Sequence, residues 1–170
     1  IYLTFLPKVN GPTIQCPGDI SVDLTTGKCD MMVTYTAPVG IDDCPGAVTS
    51  QIEGLGSGAL FPSGFTTNTF KVRDAVGNEN TCSFKVYVLD KEKPVVRCST
   101  ITVNAAFNQC SATVNIPTPA ATDNCGIANV QLRTQPPPNL IFPVGLTSLL
   151  FEAKDNNDNY SYCNTLIIVK

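Results

Sequence analysis

The spacing of the eight cysteines constrains this chain more than any other feature. Cys16, Cys29, Cys44 and Cys82 are separated by 13, 15 and 38 residues, and Cys98, Cys110, Cys125 and Cys163 by 12, 15 and 38. Other positions fall into the same register: Pro12 with Pro94, Pro38 with Pro119, and Asp42-Asp43-Cys44 with Asp123-Asn124-Cys125. Phe61-Pro62-Ser63-Gly64 aligns with Phe142-Pro143-Val144-Gly145, and Thr66, Phe70, Asp74 and Asn78 with Thr147, Phe151, Asp155 and Asn159. A period of 81 or 82 residues over so many positions means two copies of one unit.

Each copy reads as all-β. Short alternating runs are separated by Gly, Pro, Asn and Asp clusters, and helical i, i+3, i+4 stripes with caps are absent. Ile20, Val22 and Leu24 alternate with polar residues, as do Phe70 and Val72, and Phe84, Val86 and Val88. Ile101 and Val103, Ala112, Val114 and Ile116, Leu149, Phe151 and Ala153, and Thr165, Ile167 and Val169 take the corresponding places in the second copy. About seven short strands in a unit of this size suit a small sandwich. The expected architecture is two tandem immunoglobulin-like β-sandwich repeats, disulfide-stapled. Residues 9–90 form the first and 91–170 the second, after an N-terminal strand at 1–8.

Eight cysteines at this density point to disulfides in an oxidising compartment, because zinc sites call for close pairs such as C-x2-C and the nearest pair here is Cys98 and Cys110. Four cysteines allow three connectivities per repeat, and spacing alone does not choose among them. Read as a strand followed by the Thr25-Thr26-Gly27 turn, the segment between Cys16 and Cys29 brings its ends together. The expectation is therefore Cys16–Cys29, Cys44–Cys82, Cys98–Cys110 and Cys125–Cys163.

Composition excludes several functions. Charged residues are 15% of the chain and net charge is −3, which leaves no basic face for a phosphate backbone, so no nucleic-acid partner is expected. No apolar run approaches the ~18 residues of a membrane span. With no histidine anywhere, Ser-His-Asp and Cys-His arrangements are impossible, and no catalytic residue is nominated. Asp42 and Asp43 are adjacent, so on an extended segment they point opposite ways and read as turn residues. Asp74 to Asn78 reads as a β-turn, since EF-hand spacing is missing. Asp90-Lys91-Glu92-Lys93-Pro94 reads as a short linker stiffened by Pro94, in preference to a calcium site between the copies that carboxylates of Asp42, Asp43 or Asp123 would complete, because two lysines lie in it. No metal and no cofactor is expected.

The aligned motifs carry a family resemblance. Cys16-Pro17-Gly18-Asp19-Ile20, Asp42-Asp43-Cys44, Phe61-Pro62-Ser63-Gly64, Asp74-Ala75-Val76-Gly77-Asn78 and Cys82 opening an alternating strand resemble the hyalin repeat, or HYR domain. The second copy keeps Asp123-Asn124-Cys125-Gly126 and Phe142-Pro143-Val144-Gly145, and departs at Ser99 and at Asp158, where Pro and Gly are expected. The resemblance implies an immunoglobulin-related, non-enzymatic module of extracellular adhesion, matrix or surface proteins, secreted or at the cell surface.

Three further expectations complete the reading. Asn159-Tyr160-Ser161 is an acceptor sequence for N-glycosylation, and Pro136-Pro137-Pro138 and the Thr-rich strands leave room for O-linked sugar. Ile1, Tyr2, Leu3, Thr4, Phe5 and Leu6 stand where a repeat's last strand would. They read either as the tail of an upstream repeat or as an expected interface that inserts into another subunit by β-strand addition, giving head-to-tail self-assembly into a fibre. The alternative is an adhesin or receptor ectodomain that grips a protein or glycan. It would use the loops that differ most between the repeats, Gly54-Leu55-Gly56-Ser57-Gly58 and Gln135-Pro136-Pro137-Pro138-Asn139.

Overall fold

In the computed structural model the described residues are Asn10–Lys170, so the expected strand over Ile1–Leu6 lies outside them. They fold as two units: residues 10–25 with Cys29–Leu89, and Thr26–Lys28 with Asp90–Lys170.

The first unit carries β1 (Ile20–Asp23), β2 (Asp30–Met32), β3 (Val48–Glu53), β4 (Leu60–Pro62), β5 (Gly64–Arg73) and β6 (Glu79–Leu89). Four of them form a sheet in the order β1-β6-β5-β3, and β2 pairs with β4. The β5–β6 hairpin is the backbone of the unit, and along it Phe70 and Val72, and Phe84, Val86 and Val88, point inward at period two. With Val33 and Phe61 they are buried, and all but Val72 form one cluster to which Ile20, Val22 and Tyr35 are packed. Tyr35 meets Phe84 edge-to-face at 5.0 Å between ring centroids, an arrangement the ring quadrupoles favour.

The second unit repeats the plan with β7 (Val95–Arg97), β8 (Thr100–Val103), β9 (Ser111–Thr113), β10 (Ala120–Thr122), β11 (Ile127–Leu132), β12 (Ile141–Pro143), β13 (Gly145–Asp155) and β14 (Tyr160–Val169). Its four-stranded sheet runs β11-β13-β14-β8, flanked by the pairs β12-β9 and β10-β7. The β7–β10 pair corresponds to a single bridge, Thr13 to Ile41, in the first unit. Val114, Phe142, Leu149, Phe151, Ile167 and Val169 form its core. Apart from one short 3-10 turn, the described residues are all-β, as two tandem β-sandwiches.

The disulfides differ from expectation. Cys16 pairs with Cys82 and Cys98 with Cys163, at Cα–Cα distances of 5.5 and 5.6 Å. The expected Cys16–Cys29, Cys44–Cys82, Cys98–Cys110 and Cys125–Cys163 bonds are therefore wrong. Cys44 and Cys110 are exposed thiols, while Cys29 and Cys125 are disulfide-bonded. The register explains the pairing. β1 runs parallel to β6 with Ile20 opposite Val86, so four residues earlier Cys16 falls opposite Cys82. β8 runs parallel to β14 in the same way, with Thr100 opposite Leu166. The chain does turn after Thr25, but β1 and β2 enter different sheets, so no hairpin brings Cys16 to Cys29.

Candidate functional site

Three kinds of site emerge from the loops and faces of these sheets. The first is a repeated loop at the tip of each long hairpin. Asp74 follows β5, and its Oδ1 accepts from the backbone N–H groups of Val76 and Asn78 at 3.0 and 2.7 Å. Its Oδ2 accepts from Asn78 Nδ2 at 2.7 Å. Burial opposes ionisation of Asp74, but the Asn78 side chain and these loop N–H donors outweigh it and hold the carboxyl below its ordinary value. Asp155 does the same with Asn157 and Asn159. The left-handed residue of the loop is Gly77 in the first unit, at φ 100°, and Asp158 in the second, at φ 66°; aspartate is among the few side chains that tolerate that region. The departure from Gly noted in the sequence thus leaves the loop intact.

The same geometry answers the glycosylation expectation. Asn159 Nδ2, the atom a glycan would occupy, donates to Asp155 Oδ2 at 2.8 Å and to the Asp90 carbonyl at 3.1 Å. Both hydrogens are used inside the fold, so a sugar there requires the loop to open. Asn159 is a structural residue in this arrangement.

The second site is acidic. Asp90 follows β6, Asp123 follows β10 and Asp155 ends β13, and one carboxylate oxygen from each lies within 4.8 Å of the others. Asp155 is completely buried and Asp90 is 7% exposed. Asp90 Oδ1 accepts from the Glu92 N–H at 3.0 Å, and Asp123 Oδ1 from the Cys125 N–H at 2.9 Å. The remaining oxygens, Asp90 Oδ2 and Asp123 Oδ2, are buried without a hydrogen-bond partner. Desolvation raises the Asp123 pKa; the Cys125 N–H opposes this, and the charges of Asp155, Asp90 and Glu92 add to it. The sequence set Asp123 beside Asp90 only as a disfavoured alternative and left Asp155 out, because the three are more than thirty positions apart and only the topology makes them neighbours. Asp42 and Asp43, which the sequence read as turn residues, lie beside the Cys44 thiol in a second acidic group. Desolvation and the charges of Asp43 and Asp42 push that thiol's pKa up.

The third feature is an exposed apolar set at matching positions of the two units: Leu60 and Phe65 in the first, Ile141 and Leu146 in the second. Phe65 stands at 63% exposure beside Tyr87, with Lys85 Nζ 5.0 Å over its ring, and Leu146 at 67%. The variable loops are less free than their composition suggests. Leu55 N–H is held by Asn68 Oδ1 at 2.8 Å, its carbonyl by the Tyr35 hydroxyl at 2.6 Å, and Ser57 bonds both backbone groups of Tyr35. In the second unit the loop closes in a short 3-10 turn, Pro138–Leu140. No helix among the described residues is long and apolar enough to cross a membrane.

Comparison with known proteins finds relatives along most of the chain. The chain is 35% identical over 147 residues to hyalin of Strongylocentrotus purpuratus, a match covering 84% of this chain and 12% of that protein. Hyalin of Lytechinus variegatus is 30% identical over 154 residues, covering 87% of this chain and 29% of that one. The rat sushi, von Willebrand factor type A, EGF and pentraxin domain-containing protein 1 is 26% identical, covering 95% of this chain and 4% of that protein. The chain thus spans only a small part of these relatives. Among solved structures, the EC1-2 fragment of human mucin-like protocadherin is similar at 12% identity and a TM-score of 0.41, covering 93% of this chain and 98% of that one. The model of the HYR domain matches residues 8–88 and again 89–169, and the chain belongs to the HYR family as two consecutive domains.

Proposed function

We propose that this chain is an extracellular adhesion module that acts through its surface and carries no catalytic machinery. The carrying observation is the recurrence, at one register in both domains, of exposed apolar side chains on disulfide-closed sandwiches: Leu60 and Phe65, then Ile141 and Leu146. Apolar groups held open to water on a rigid scaffold favour contact with another protein. Membership of the HYR family and the similarity to hyalin support the extracellular setting. Within that role the chain serves as a structural element of a fibre, matrix or cell-surface appendage, joined through tandem repeats or by strand addition from Ile1–Leu6. The partner is self or another extracellular protein.

The test is bead aggregation with the oxidised protein immobilised, alongside sedimentation at rising concentration. Association that Phe65→Ser with Leu146→Ser weakens at least tenfold, with unchanged circular dichroism, supports the adhesion reading. A monomer at all concentrations whose beads neither aggregate nor retain extracellular-matrix proteins overturns it. Filaments in negative stain that vanish on deletion of residues 1–6 separate strand addition from side-by-side adhesion.

A further inference from the structure

We propose that Asp90, Asp123 and Asp155 form a binding site for one calcium ion in the second unit. Three formal negative charges converge there, on a completely buried residue, a residue 93% buried and one half-buried. Burying carboxylates without a counter-charge costs several kcal/mol per group in general, and the fold increases rather than relieves the crowding. It uses loop N–H groups to lock one oxygen of Asp90 and one of Asp123, which leaves Asp90 Oδ2 and Asp123 Oδ2 buried with nothing to accept from. A native fold pairs nearly all of its buried polar atoms, so two orphaned oxygens beside a third carboxylate point to a ligand that supplies positive charge.

The chemistry of that ligand follows from the donor set. All three groups are hard carboxylate oxygens, and no thiol or imidazole belongs to the cluster. That excludes a preference for zinc or copper. Oxygens around calcium sit at about 2.3–2.6 Å from the ion, so any two of them are separated by at most about 5 Å. The mutual separations of the cluster, within 4.8 Å, fall inside that limit. Magnesium, at about 2.0–2.1 Å and strictly octahedral, draws its ligands closer and keeps more water. Asp123 is only half-buried, which leaves solvent a route to complete the coordination shell. Lys91 and Lys93, which flank Glu92, are both exposed, and the two oxygens are orphaned despite them.

Sequence register limits the site to one unit. The 82-residue offset that aligns Pro12 with Pro94 puts Lys8 where the second unit has Asp90, and Asn10 where it has Glu92. The first unit therefore keeps Asp42 and Asp74 as counterparts of Asp123 and Asp155 but lacks the third carboxylate at that position.

The experiment is calorimetric titration of the chelator-treated, oxidised chain with calcium chloride up to ~10 mM, with thermal melts in calcium and in EDTA. About one equivalent is expected to bind, with a dissociation constant on the order of 10⁻⁴–10⁻³ M, typical of extracellular sites. Asp123→Asn and Asp90→Asn are expected to weaken binding at least tenfold, and Asp43→Asn to leave it unchanged. A sign reversal discriminates further: Asp123→Asn should melt higher than the parent in EDTA, because repulsion is relieved, yet gain nothing from calcium. Absence of binding by the folded parent, or equal calcium responses in parent and Asp123→Asn, overturns the assignment.

Discussion

Asn68 and Phe84 face each other across β5 and β6, where the second unit places Leu149 opposite Thr165. Both pairs are buried, and each combines one apolar and one polar member in reversed positions. The polar choice in the first unit has a local purpose: Asn68 Oδ1 accepts from Leu55 N–H and Gln51 Nε2 and so fixes the Gly54 loop. Gly54 itself lies at φ 87°, and a Cβ there would fall 2.2 Å from Asn68 Oδ1, so the loop and the asparagine require each other. Asn68→Leu is therefore expected to cost about 1–3 kcal/mol by stranding the Leu55 donor in the interior. A urea midpoint equal to that of the parent would refute this. Asp74 supplies a pH prediction. Its folded pKa is depressed, so its contribution is present above the unfolded carboxylate value near 4 and is lost as pH falls through the lower folded value. Asp74→Asn should flatten the decline in stability as pH falls below about 4; parallel acid-melting curves for variant and parent would contradict it. The turn at Asp74–Asn78 was legible in the sequence because Asx chemistry is local. The engagement of Asn159 and the place of Asp155 beside Asp90 and Asp123 were not, since an acceptor sequence is silent on where its amide points and a constellation spread over three distant segments has no spacing signature.

At the level of strands, alternation of apolar residues revealed which face of β1, β5 and β6 is buried but not which strand lies beside which. Period-two patterning is the same whether β1 turns back on β2 or crosses to lie parallel to β6. That single ambiguity displaced every expected disulfide, because the parallel register from Ile20–Val86 back to Cys16–Cys82 appears only once the sheet order is known. The bond ties the short edge strand β1 to the long hairpin at a sequence separation of 66 residues. On the loop-entropy estimate, Cys16→Ser with Cys82→Ser lowers stability by about 4 kcal/mol. Cys44→Ser, which removes an exposed thiol, should leave the midpoint in place. Chemical denaturation of the two variants checks both statements, and equal losses would show that the Cys16–Cys82 bond has no special role.

Over the whole chain, the period of the cysteines foretold two units, and each has its own complete core. Val33, Phe61, Phe70, Phe84, Val86 and Val88 make one cluster, and Val114, Phe142, Leu149, Phe151, Ile167 and Val169 the other, with no residue in common. No strand of one four-stranded sheet belongs to the other. Phe61 sits on β4, fully buried, and joins the short β2–β4 pair to the long hairpin. Phe61→Ala removes that contact and leaves a cavity, for an expected loss of about 3–5 kcal/mol in the first unit. Because the second core shares none of these side chains, its opening free energy should be unaffected. Hydrogen exchange read by mass spectrometry distinguishes the outcomes. Amides of β5 and β6 should exchange faster in the variant, while those of β13 and β14 keep the protection of the parent chain. Equal acceleration in both hairpins would mean that the two sandwiches unfold as one cooperative body despite their separate cores.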